Sequence, residues 1–438
     1  MNRLTTLYEE SQISPLPFRY VLTDFARSNL EFWRQHPSFE RFRERGIWDI
    51  ALFDAQQSDE IALEYSGVSL RPGSLSSPVV AIANYVFDSL PQDLYYIDQG
   101  QISHCLVSLY AEDSLDTTDS ANALERVQVS YYNEPCAESP YPEPDLTALF
   151  TRYTETLEDS HLLFPITGLR CLHRLRSLSA PKGLLLLSAD KGSHRYSDLM
   201  NGDPPELIRH GSVSLPVNYH AFKAVCDEMG GVLLFPEVGY HHVNIGALLM
   251  VADADRYSET KRAYRRFVGD FGPDDYYSVV NHARPYISEM SIEDMLALLR
   301  LSLYDAHQFS RYLPRLLELA GQADPLEREA IAYAVDKVWQ LYFPLGEQRD
   351  LAFQIASLLY QLEEYEKAIF YFGQSARLYG EYTGTLFNTA ICRHMLEQFA
   401  EAEAGLRKVL KFDPNNGHAA ALIEEYENNR LGSKIGMP

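Results

Sequence analysis

The sequence predicts an α/β domain built on a parallel sheet with helices on both faces, followed by an all-α array. Two observations carry this reading. Four short, almost wholly apolar runs recur in the first half, each ending on a polar group: Phe18–Leu22, Trp48–Phe53, Val79–Ala83 and Leu184–Leu187. A continuous apolar run means burial on both faces, as in a parallel sheet covered by helices. From Ser291 onward the pattern turns to helices only, and a helix–turn–helix pattern recurs with a shift of 34 residues.

The elements follow in order. Leu4–Glu10 reads as helix, and the breaker Ser14-Pro15-Leu16-Pro17 follows it. The first strand ends at Thr23-Asp24, and Arg27–Trp33 is helical. The second strand ends at Asp54, the third at Asn84, and the fourth at Ser188-Ala189-Asp190-Lys191-Gly192. Between the third and fourth strands, Leu94–Ile97, Asp98-Gln99-Gly100 and Ile102–Tyr110 spell a β-hairpin, and Arg126–Tyr132 adds a further strand. The acidic stretch 112–119 and the proline-rich stretch Glu134–Asp145 read as loops. We therefore expect an insertion over about 94–145, lying as a flap over the sheet edge. Asn218 sits where a helix cap belongs, ahead of Ala221–Met229, and Gly230-Gly231 ends that helix. Val232–Phe235 and Val243–Val251 then form an antiparallel hairpin through Gly239-Tyr240-His241-His242.

After a connecting segment, 256–290, Ser291 and Asp294 resemble a capping box. Leu362, Tyr365, Ala368 and Phe372 recur as Leu396, Phe399, Ala402 and Leu406, and Ala356 recurs as Ala390. This is the period of tetratricopeptide repeats (TPR). Small alanines let paired helices approach, and the large residues fill the groove between them. Such units stack because none can bury its face alone. The expected array spans 291–438 and binds a protein partner.

Composition narrows the function. Of 438 residues, 46% are hydrophobic and 23% charged, ordinary for a globular chain. The net charge of −23 disfavours direct contact with phosphate backbones, so no nucleic-acid partner is expected. Lys261, Arg262, Arg265 and Arg266 could form a local basic patch or simply a solvated helix face. Cys105, Cys136, Cys171, Cys226 and Cys392 are dispersed and read as reduced thiols, with no metal-ligand spacing. No apolar run is long enough to span a bilayer, so no membrane partner is expected, and MNRLTTLYEESQIS lacks the apolar core of a signal peptide, so the cytoplasm is the expected compartment.

The strand ends hold the residues that could carry chemistry, since ligands of parallel sheets bind beyond the carboxyl ends of the strands. Asp24 could accept hydrogen bonds from ribose hydroxyls, or could cap the helix that follows. Asp54 could accept from an adenine amino group, with the small Ala55 leaving room for the ring. Asn84 offers amide donors and a carbonyl acceptor. Asp88, one helical turn on, could share its side and help hold a substrate nitrogen; alternatively Asn84 could cap a helix and Asp88 be solvated. Tyr219, His220, Tyr240, His241 and His242 could line a cleft or serve packing. Neither a nucleophile elbow nor a phosphate loop is present.

Taken together, FRYVLTDFA, WDIALFDAQ and VVAIANYVFDSLP resemble the second, third and fourth strands of class I S-adenosylmethionine-dependent methyltransferases. Asn84-x3-Asp88-Ser89-Leu90-Pro91 is similar to the N-E-x-x-D-A-L-P motif of the MidA-like family, and LLLLSADKG falls at the fifth strand. The resemblance covers residues 1 to about 255. It implies a Rossmann-like methyltransferase sheet with S-adenosyl-L-methionine as cofactor. Asp24, with Phe25 beside it, would bind the ribose. Asp54 and Ala55 would adjoin the adenine. Asn84 would lie at the methyl-transfer edge with Asp88 on the next segment, facing a protein or small-molecule acceptor. Tyr85 stands where the motif has Glu, which removes a grip on arginine. The family's first strand, central in its sheet, and the glycine-rich loop after it have no counterpart before Asp24, and Met1–Glu10 resembles the tail of the helix that follows that loop. The chain is thus expected to begin inside the domain and to associate or be unstable unless the gap is filled. Two rival readings remain: a non-enzymatic TPR adaptor with a degenerate α/β part, and a nicotinamide-dependent oxidoreductase. The second of these would need a final strand parallel to its neighbours.

Overall fold

The computed structural model of the chain describes residues 1–110, 126–136, 141–179, 182–209, 213–237 and 243–435, with side chains described up to residue 428. The chain divides into two compact units: Tyr8–Tyr277, and Met1–Leu7 together with Ser278–Pro438.

In the first unit, β1 (Tyr20–Asp24) pairs in parallel with β2 (Trp48–Leu52), Asp24 opposite Leu52. A small ladder of β3 (Ile61–Ala62) and β4 (Ser69–Leu70) follows. β5 (Val79–Asn84) enters a separate four-stranded sheet. Next come β6 (Asp93–Asp98), β7 (Gln101–Tyr110), β8 (Gln128–Cys136) and β9 (Ser160–Phe164), which form their own antiparallel sheet in the order β8-β7-β6-β9. The β6–β7 turn puts Gln99 and Gly100 at φ of 46° and 74°. That mirror-image turn matches the strand twist, and Gly favours it.

β10 (Leu184–Asp190) lies between β5, parallel to it, and the last strand, antiparallel to it. Four two-residue strands intervene: β11 (Gly192–Ser193), β12 (Ile208–Arg209), β13 (Val213–Ser214) and β14 (Val217–Asn218). β15 (Val232–Leu234) and β16 (Asn244–Met250) complete the sheet in the order β15-β16-β10-β5. β16 is antiparallel to both neighbours, which removes the parallel final strand that the oxidoreductase reading requires.

The sheet rests on the helices Ile166–Ser177 and Tyr219–Glu228. Leu169, Leu172, Phe222 and Val225 on them pack with Leu184, Leu186 and Leu248 in one core. Asn218 caps the second helix, its Oδ1 accepting from Ala221 N at 3.2 Å. Gly183 at φ +90° starts β10 in contact with the end of β16; a Cβ there would lie 2.1 Å from the Met250 carbonyl oxygen. A parallel pair of strands outside the larger sheet, β1 and β2, buries Ile50 and Ala51 and shares the Leu63/Leu178 cluster with Val79.

Three expectations are corrected. The insertion does not stop near 145: its sheet runs from Asp93 to Phe164, because β9 pairs with β6. The stretch Glu134–Asp145 is not all loop. β8 continues to Cys136, with Pro135 tolerated on an edge strand, and a helix starts at Pro144. Nor is every apolar run covered on both faces. Val80 and Ile82 of β5 are each 61% exposed, because they alternate with Val79, Ala81 and Ala83, which point to the packed face. The acidic stretch 112–119 and the residues Tyr240, His241 and His242 lie outside the described residues.

In the second unit, every strand-free turn from Ile292 to Ile435 joins α-helices. Ser291 and Asp294 make a reciprocal capping box, each side chain meeting the other's backbone N–H at 3.1 Å. Helices Leu351–Gln361 and Tyr365–Tyr379 form one antiparallel-type pair, and Thr383–Met395 and Phe399–Phe412 the next. Ala356, Ala368, Ala390 and Ala402 are all buried, as are Phe372 and Leu406. The repeat extends to the backbone: Glu363 and Glu397, one period apart, both take left-handed φ, at 64° and 59°, in the turn inside each pair. At the amino end, Asn2 and Arg3 donate to the carbonyls of Gln340 and Leu303.

Candidate functional site

The parallel strands deliver polar side chains to their carboxyl ends in two groups. The register of β1 with β2 sets Asp24 opposite Leu52, two residues before Asp54, and Phe53 N donates to Asp24 O at 2.9 Å. The Asp24 carboxylate accepts from Ala26 N at 2.8 Å and Asn29 Nδ2 at 2.7 Å. It therefore ties the residue before the helix Arg27–Gln35 to a side chain of its first turn without capping the helix, whose N-cap Ala26 has no side-chain cap hydrogen bond, and it keeps further lone pairs. Phe25 projects beside it, 78% exposed. Asp54 turns its Oδ1 to Gln56 N at 2.8 Å, and the buried Ala55 gives its carbonyl to Arg174.

The second group lies at β5 and β10. Asn84 pairs with Ala189 and leaves its side chain exposed. No helix follows it: Tyr85 takes φ 53°, and the chain turns so that Phe87 and Asp88 go inward. Asn84 and Asp88 thus occupy opposite environments, one exposed and one only 7% exposed. The left-handed Tyr85 prevents the helical turn that would have stacked them.

Asp88 turns inward on the side of Asp190, the fully buried last residue of β10: Leu215 N donates to Asp88 O at 3.0 Å, and Val217 N to the carbonyl of Lys191, the residue after Asp190, at 2.8 Å. Asp190 Oδ2 accepts from Ser188 Oγ at 3.0 Å and Tyr219 OH at 3.2 Å, and those two hydroxyls lie 2.6 Å apart. Ser89 Oγ donates to Asp88 Oδ1 at 3.0 Å. Asp190 Oδ1 is buried with no hydrogen-bond partner. Burial, and then the negative charge of Asp88, pushes the Asp190 carboxyl up to about 7. Burial also holds the Tyr219 hydroxyl well above the usual phenol range. The sequence marked Asp190 only as a polar strand end, and nothing local announced its partner.

The remaining candidates separate from these groups. His220 Nδ1 meets Tyr153 OH at 2.7 Å, and burial lowers the imidazole pKa. Lys261 pairs with Asp255 and Arg262 with Glu259, so half of the basic patch is neutralised. A cavity of about 310 Å³ lies elsewhere, lined by Tyr131 of β8 and by Pro204 and Arg209, among others. Among the described residues no group of three or more His, Cys, Asp or Glu is placed to hold a metal, and no helix is long and apolar enough to cross a membrane. The chain matches no protein-family model and no curated protein sequence.

Proposed function

We propose that residues 1–255 form an S-adenosylmethionine-dependent methyltransferase-type domain, acting in the cytoplasm on a protein or small-molecule nitrogen or oxygen, and that the helical array recruits a protein partner. One observation carries the reading. Doubly wound sheets have the strand order 3-2-1-4-5. The separate parallel pair β2-β1 and the β5-β10 pair of the sheet β15-β16-β10-β5 would correspond to 3-2 and 4-5 of such an order, with the hairpin β15–β16 beyond them.

The residues fit the cofactor in part. Asp24 retains acceptor capacity for ribose hydroxyls, and Phe25 offers an exposed ring beside it. Asp54 and Ala55 fit an adenine edge, although Ala55 has its carbonyl engaged. The cofactor would supply an electrophilic methyl group. Asn84 would orient the acceptor: its carbonyl oxygen can accept from an acceptor N–H or O–H, and its amide can donate to a second acceptor atom. Exposed Tyr333, Tyr360, Phe370 and Met395 on the helices give a partner apolar anchors.

The adaptor reading has its own support. Both Asp24 oxygens already have local donors, so its position needs no ligand. Titrating S-adenosylmethionine into the full chain decides between the two. Micromolar binding, weakened at least tenfold in Asp24→Ala, supports the methyltransferase-type reading. Absence of binding at millimolar cofactor refutes it and leaves the adaptor.

A further inference from the structure

We infer that Asp88 and Asp190 form a proton-binding site, in which the two carboxyl groups hold a single proton that ties the turn after β5 to the end of β10. This goes beyond methyl transfer and does not rest on it.

The geometry leaves little alternative. Both groups are buried, β5 and β10 pair Asn84 with Ala189, and the segment after β13 bonds to the backbone at both sites, Leu215 N to Asp88 O at 3.0 Å and Val217 N to Lys191 O at 2.8 Å. Two adjacent carboxylates in a low-dielectric setting cannot both stay ionised. The hydroxyl donors are already placed: Ser188 and Tyr219 on Asp190 Oδ2, and Ser89 on Asp88 Oδ1. None reaches Asp190 Oδ1. One proton between the carboxyl groups supplies the missing donor and removes the like-charge repulsion.

The groups facing the pair are few. The turn presents Asp88, the helix Tyr219–Glu228 presents the neutral Tyr219 hydroxyl, and β16 presents the uncharged amide of Asn244, which donates to Gly192 O. Among the described residues no Lys, Arg or His makes an ion pair with either aspartate. Neutralisation by a proton is the remaining compensation.

The closure has a structural consequence. The Asp88 carbonyl accepts from Leu215 N at 3.0 Å, so the same turn also anchors the strand leading into Asn218 and Tyr219. When the turn opens, Asp190 becomes an ordinary carboxyl group that ionises near pH 4. When it is closed, Asp190 keeps its proton up to about pH 7. The closed turn is therefore held most firmly below about pH 4 and progressively less as pH rises to about 7, by linkage.

Hydrogen exchange on the intact chain tests this. Protection of residues 85–91 and 213–220, corrected for the intrinsic exchange rate, should fall by up to about tenfold per pH unit between about pH 5 and pH 7. Asp190→Asn and Asp88→Asn each leave one carboxylate facing an amide donor, and either should flatten that slope. A second readout needs no variant. The infrared band of a protonated carboxyl should persist in the wild-type chain at about pH 6 and vanish near pH 8. Flat wild-type protection, an unchanged slope in Asp190→Asn, or absence of the band at about pH 6 would each overturn the proposal.

Discussion

The α/β unit and the helical unit solve the same problem, hiding apolar surface, with different reach along the chain. In the helical unit each helix from Leu351 onward packs on its neighbours in sequence, and the buried positions repeat: Ala356 with Ala390, Ala368 with Ala402, Phe372 with Leu406. In the α/β unit, β10 must find β5 and β16 across long stretches of intervening chain. That unit keeps an open edge at β5 and three buried carboxyl groups, Asp49, Asp88 and Asp190, whereas the array's repeated positions are apolar. The difference teaches that local packing repeats a rule, while non-local packing leaves edges and buried polar groups that specific partners must satisfy.

The comparison can be broken in several ways, starting with the largest expected effect. Phe222→Ala removes a fully buried ring that meets Phe87 edge-on at 4.8 Å, and should cost about 4 kcal/mol. Hydrogen exchange should then accelerate in β5, β10 and β16 together, since they share that core. Phe372→Ala should cost about 3 kcal/mol, with lost protection concentrated in 351–395. Equal loss across 291–435 would show that the array is not held by nearest neighbours.

Smaller changes sharpen the contrast. Gly405 faces Ala390, where an added Cβ would sit 3.0 Å from the alanine Cβ. Gly405→Val should overpack that crossing and cost about 2 kcal/mol in denaturant unfolding. Ser291→Ala deletes one half of the capping box and should cost about 1 kcal/mol. Least affected should be Val80→Lys with Ile82→Lys. These exposed side chains contribute little to the fold, so stability should move by no more than about 0.5 kcal/mol. Light scattering should nevertheless show less self-association, because charge on an edge strand opposes pairing between molecules.

Much of the architecture is legible in the residues. The apolar runs locate β1, β2, β5 and β10, and Gln99-Gly100 marks its turn. The 34-residue spacing locates the paired helices, because that pattern depends only on neighbours. The reach of the insertion was not legible. Ser160–Phe164 is not among the expected strands, and nothing in so short a run names β6 as its partner. Asp88 likewise could not be placed from its spacing to Asn84, because the left-handed Tyr85 redirects the chain between them.

The sequence by itself determined the strands β1, β2, β5 and β10, the polar residues on which they end, the hairpins β6–β7 and β15–β16, and the beat of the helical repeat. Periodicity and chain-end chemistry act over a few residues, so they are written locally. Only the tertiary structure decided that β5 is an edge, that Asn84 faces outward while Asp88 turns in, and that Asp88 meets Asp190. Those outcomes depend on which distant strands pair, and burial then sets the charge that each side chain can keep.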